Sequence, residues 1–122
     1  MKLPVAIALL AGTAALASTG LASAAAFDGN WSVLVITEKG ACDQGYRYEV
    51  AVGGGKVTYR GAEAVSMTGS ITPNGAVKVA VAGGGSRMAQ GTGTLSAQSG
   101  SGKWSGKSQS GECTGRWEAE RR

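Results

Sequence analysis

Apolar and polar residues alternate along almost the whole chain from Tyr46 to Glu120. Tyr46, Tyr48, Val50 and Val52 are interleaved with Arg47, Glu49 and Ala51, and Val57 and Tyr59 with Lys56, Thr58 and Arg60. Val65, Met67, Gly69 and Ile71 are set between Ser66, Thr68 and Ser70, and Val77, Val79 and Val81 follow at the same spacing. The pattern continues through Ala89, Gly91, Gly93 and Leu95, then Gly102, Trp104 and Gly106, and ends with Cys113, Gly115, Trp117 and Ala119 opposite Thr114, Arg116, Glu118 and Glu120. A period of two puts one set of side chains on each face of a strand. The runs are separated by turn chemistry: Gly53-Gly54-Gly55, Pro73-Asn74-Gly75 and Gly83-Gly84-Gly85 supply the positive φ or the fixed φ that tight connections need.

With the β-branched run Trp31 to Thr37, this spacing predicts eight short strands and no helix, an all-β fold. Every connection is short enough for a hairpin, so the expected topology is an antiparallel up-and-down meander. Such a meander closes most simply as a small or flattened barrel, because closure removes both sheet edges. A sandwich that joins first and last strands satisfies the same pattern. The segment Ala97 to Ser101 reads as a loose polar turn.

The cysteines bear on closure. Cys42 falls in the first connection and Cys113 at the start of the eighth strand, so both lie at one end of a meander. An open sheet would hold them far beyond disulfide reach; pairing of strand eight with strand one brings them together. A Cys42–Cys113 bridge would close a loop of about 70 residues and contribute roughly 4 kcal/mol in the chain-entropy model.

Residues 1–26 read as a secretory signal peptide: a positive Met1-Lys2 start, an apolar run from Leu3 to Ala17, and the small-residue sites Ala22-Ser23-Ala24 and Ala24-Ala25-Ala26. The expected domain is therefore 27–122, periplasmic or secreted, in an oxidising compartment with no stable membrane insertion after processing.

The expected interior combines Trp31, Trp104 and Trp117 with Val33, Val35, Tyr46, Tyr48, Val50, Val57, Tyr59, Val65, Met67, Ile71, Val77, Val79, Val81 and Leu95. Glycines facing the tryptophans suggest an inside filled by protein, which moves any active surface outward. Two features point there. Leu34 and Ile36 are apolar on the face opposite Val33 and Val35. The loop Glu38 to Gln44 is the longest and most varied connection, and Glu38, Lys39, Asp43 and Gln44 are its candidate partner-contacting residues.

The chain holds no histidine, so the commonest general base and metal ligand is missing. Bridged cysteines supply no thiol nucleophile. Glu118 and Glu120 share a solvent-facing edge with Arg116, an ion-pair pattern rather than an acid/base pair. These readings predict no catalytic residues, no metal and no cofactor. The balance of 12 basic against 8 acidic residues is too small and dispersed for nucleic acid, though it suits weak attraction to anionic envelope polymers. The resulting expectation is a non-enzymatic exported binding or interaction protein whose partner is an unidentified protein or envelope component. The alternative within binding proteins is an inhibitor of an envelope hydrolase.

Two resemblances add to this. Phe27-Asp28-Gly29-Asn30-Trp31 and Cys113-Thr114-Gly115-Arg116-Trp117-Glu118-Ala119 resemble a group of small exported proteins of soil alphaproteobacteria, some labelled haem utilisation or adhesion exoprotein. That likeness carries no residue roles; with no histidine in the chain, a haem would have to be held by Tyr46, Tyr48, Tyr59 or a methionine. The Gly29-x-Trp31 opening, the meander and the late Arg116-Trp117 are similar to the calycin group of lipocalins and avidins, which implies an up-and-down barrel.

Overall fold

In the computed structural model, residues 24–84 and 87–122 are described. The signal-peptide reading thus falls largely outside the described residues. Eight strands follow in order: β1 Gly29–Lys39, β2 Gly45–Gly53, β3 Lys56–Tyr59, β4 Ser66–Ile71, β5 Ala76–Ala82, β6 Met88–Leu95, β7 Ser99–Ser108 and β8 Gly111–Arg121. Each pairs antiparallel with the next, and β8 pairs with β1, so the sheet is a closed barrel. Closure is least complete around β3, which pairs with β2 only from Val50 to Gly53 and with β4 only at Gly69 and Ser70.

Two local readings change. A single 3-10 turn, Ala24–Phe27, precedes β1 where no helix was expected. The stretch read as a loose turn at Ala97 to Ser101 gives its last three residues to β7. Gly100 is held between Leu95 and Ala119, and Ser101 between Thr94 and Glu118. Pairing on both sides overrides the weak strand preference of Ser and Gly.

The two ends of the barrel are built differently. At the end where β1 starts, Phe27, Trp31, Val50, Val52, Ile71, Val77, Trp117 and Ala119 form a buried cluster. Full burial of a large apolar side chain stabilises by roughly 1.5–3 kcal/mol, so this cluster is the main apolar contribution to the fold. The opposite end carries the connections β1–β2, β3–β4, β5–β6 and β7–β8. There Cys42 and Cys113 are bridged, with Cα atoms 6.2 Å apart. Gly40 makes room for the bridge: a Cβ there would sit 2.7 Å from the Cys113 Sγ, and its φ of +100° is one that side chains rarely adopt.

On the outer wall the cations that looked scattered in sequence align. Lys56, Ser70, Lys78, Thr92, Lys103 and Arg116 are successive cross-strand partners from β3 to β8. Register alone creates this row.

Candidate functional site

The lumen is not filled. A cavity of about 800 Å³ runs up the barrel axis from the buried cluster and opens at the disulfide-bearing end. Its deep wall is apolar, with Val33, Val35, Val57, Met67, Val79 and Trp104 among its lining. Its mouth is polar: Asp43, Tyr46, Glu63, Arg87 and Gln109 stand around it.

The expectation of a packed interior fails for a specific reason. Trp104 on β7 and Gly115 on β8 are register partners, and so are Gly102 on β7 and Trp117 on β8. Each indole lies flat across its glycine-bearing neighbour and reaches a carbonyl two strands away. The Trp104 Nε1–H donates to the Ile36 carbonyl on β1 at 3.0 Å, and the Trp117 Nε1–H to the Thr92 carbonyl on β6 at 3.1 Å. A Cβ on Gly115 would come within 2.7 Å of the Trp104 Nε1, and one on Gly102 within 2.6 Å of the Trp117 Nε1. The glycines do accommodate the tryptophans, as expected. They do so by letting the rings lie along the wall, so the rings thicken the wall instead of crossing the lumen.

Trp31 closes the far end. It is 1% exposed, and its Nε1–H donates to the Phe27 carbonyl at 2.9 Å. The Arg121 guanidinium stacks over the Trp31 ring at 4.8 Å and donates to the carbonyls of Ala97, Asp28 and Ala26 at 2.8, 2.5 and 2.8 Å. One cation thereby ties the last strand to the chain segment before the first and to the β6–β7 turn. The arginine that meets Trp31 is thus Arg121. Arg116 instead lies on the outer wall, 3.0 Å from Glu38 and 3.6 Å from Glu118.

At the mouth three tyrosines form a ladder. Tyr46 and Tyr48 point inward from β2 with ring centroids 6.0 Å apart, and Tyr48 meets Tyr59 of β3 edge-on at 5.7 Å. The Tyr59 hydroxyl donates to the Glu63 carboxylate, which raises the phenol's pKa and lowers the carboxyl's. Burial, then the neighbouring Asp43 carboxylate, pushes Tyr46 up. Burial, then the charge of a neighbouring phenolate or of Glu63, does the same for Tyr48. Arg87, which lines the same mouth, opposes both shifts. Near neutral pH the ladder presents phenol donors.

The residues singled out from sequence do not gather into one surface. Asp43 and Cys42 reach the cavity mouth. Glu38 is on the outer wall with Arg116. Lys39 sits beyond a register irregularity opposite Thr114, and the Gln44 carbonyl accepts from the Thr37 N–H. Leu34 and Ile36 are half-buried on the outside. Arg47 and Glu118 flank Leu34, and Gly45 and Arg116 flank Ile36. The Phe27 segment does not cover them; it plugs the barrel end. Beside them Ser32 is 1% exposed and accepts a hydrogen bond from Arg47 at 2.7 Å.

Sequence reasoning missed Arg87 and the role of the tyrosines as a mouth. The available signal was parity: Arg87 shares the inward phase of Ala89 and Gly91 and should have been placed inside. Comparison with known proteins adds nothing to this geometry. The chain matches no protein family, no curated protein and no solved structure.

Proposed function

We propose that this is an exported binding protein that takes an elongated, largely apolar small molecule into the barrel lumen through the disulfide-bearing end. The observation that carries the reading is the 800 Å³ cavity, apolar in its depth and polar at its mouth. Small-molecule sites occupy roughly 300–1,000 Å³, with apolar linings and a few polar groups that orient the ligand. At ~30 Å³ per water, the lumen holds on the order of two dozen waters against an apolar wall, and displacing them is a driving force for an apolar guest. The disulfide supports an oxidising compartment.

The test uses a neutral apolar fluorophore, N-phenyl-1-naphthylamine, with the tryptophans as energy donors. Trp104 and Trp117 line the cavity, so bound probe should quench their emission. Val79→Trp, which puts an indole into the lumen from β5, should abolish binding, while Lys103→Ala on the outer wall should leave it unchanged. Binding that survives Val79→Trp in a folded protein would locate the probe elsewhere and overturn the reading.

A further inference from the structure

We infer that the lumen's occupant carries an anionic head group, such as a carboxylate or sulfate, held at the mouth by the Arg87 guanidinium and the Tyr48 hydroxyl with its apolar tail directed toward Trp31. This rests on the lumenal reading above and specifies its ligand class.

The argument is one of partners. The mouth is lined by two carboxylates, Asp43 and Glu63, and by the cations Arg47, Arg87 and Lys107. Glu63 accepts the Tyr59 hydroxyl, and Arg47 donates to Ser32. Arg87 is not engaged in this way: among the described residues the ion pairs are those of Arg116, and no carboxylate lies within ion-pair distance of Arg87. Tyr48 is half-buried between two rings, and among the described residues no hydrogen bond engages its hydroxyl. Two donors that the protein leaves unpaired thus face one opening, and a phenol and a guanidinium together fit an anionic oxygen. A cationic head would meet a mouth with more cations than carboxylates and find Glu63 already engaged by Tyr59. A neutral hydroxyl would use Tyr48 and leave the charge of Arg87 unmatched. Below the mouth apolar side chains such as Val35, Met67 and Val79 dominate the wall as far as the Trp31 cluster, so the rest of the ligand is hydrocarbon-like.

The experiment is displacement of N-phenyl-1-naphthylamine by a series with one tail and four heads: dodecanoate, dodecyl sulfate, dodecanol and dodecyltrimethylammonium, each below its micelle concentration. Both anions should bind about tenfold or more tighter than the alcohol, the scale of a charge-assisted hydrogen bond. The cation should bind weakest. Dodecanoate tighter than dodecyl sulfate would identify a planar carboxylate as the preferred head, and the reverse a tetrahedral one. Arg87→Ala should bring the anions to the affinity of the alcohol without weakening the alcohol. Tyr48→Phe should weaken both the anions and the alcohol. Equal affinity of alcohol and anion, preference for the cation, or an anion preference untouched by Arg87→Ala would each overturn the inference while leaving the lumenal site standing. Failure of the neutral probe to bind at all would overturn the lumenal reading and this inference with it.

Discussion

The two ends of the barrel solve opposite problems with the same strands. At the closed end, Trp31 is roofed by Arg121 and backed by Phe27, and the turns are tight: Gly55 and Gly75 are buried at φ of +82° and +91°. At the open end the rings are tyrosines, three of the four connections are longer, and the Cys42–Cys113 bridge adds a covalent tie. The difference follows from side-chain volume. Val50, Val52, Ile71 and Val77 converge at one end, whereas toward the other the inward positions of β6 and β7 pass to Gly91, Ala89 and Gly106. Stability is concentrated where the barrel is shut, and the exposed polar donors where it is open.

Trp31→Ala should break the closed end most severely. Truncating a buried tryptophan costs about 3–5 kcal/mol, a large share of a net stability of about 5–15 kcal/mol. Denaturant unfolding should show it, and a loss under 1 kcal/mol would mean that the plug is not what closes the barrel. Cys113→Ser attacks the other end. Its expected cost is about 2–5 kcal/mol, with cysteine-end amides exchanging faster than closed-end amides. Uniform protection loss along all strands would erase the distinction drawn between the ends.

Gly102→Ala addresses the passage between them. The added methyl would sit 2.0 Å from the Thr92 carbonyl oxygen and 2.6 Å from the Trp117 Nε1, so the β6–β7 pairing and the indole's bond to Thr92 must both give. An overpacking cost of about 1–3 kcal/mol is expected, together with weaker capture of the neutral probe. Unchanged stability and capture would show that the wall does not need the glycine.

The smallest effect belongs to the Tyr59–Glu63 pair at the mouth. Its hydrogen bond holds Glu63 below the ordinary carboxylate range, a contribution present above that range and lost as pH falls through the lowered value. The same bond holds Tyr59 above the ordinary phenol range, a contribution present below that range and lost as pH rises through the raised value. The pair should therefore support the mouth only between the two. Tyr59→Phe should flatten melting temperature against pH at both extremes, and an identical pH profile for wild type and variant would dismiss the pair.

Alternation and turn residues made seven of the eight strands legible nearly to their ends, because a two-residue period and a Gly-rich turn are local properties. β7 was shortened because Ser99, Gly100 and Ser101 owe their extended form to partners on β6 and β8 rather than to themselves. The bridge was readable from parity of connections. The lumen was not. From sequence, glycine opposite tryptophan means only that space is available, and a ring can use that space by crossing the barrel or by lying down. The choice depends on whether a carbonyl two strands away can accept the indole N–H.

By itself, then, the order of residues determined strand number, direction, facing and the pairing of Cys42 with Cys113, since each follows from periodicity and connection length. Only the closed tertiary structure decided that the indoles lie flat, that Arg121 stacks on Trp31, and that Arg87 shares a mouth with Tyr46 and Tyr48. Those outcomes rest on contacts between residues far apart in the chain, Trp104 with Ile36 and Arg121 with Ala26, and such contacts exist only once the barrel has closed.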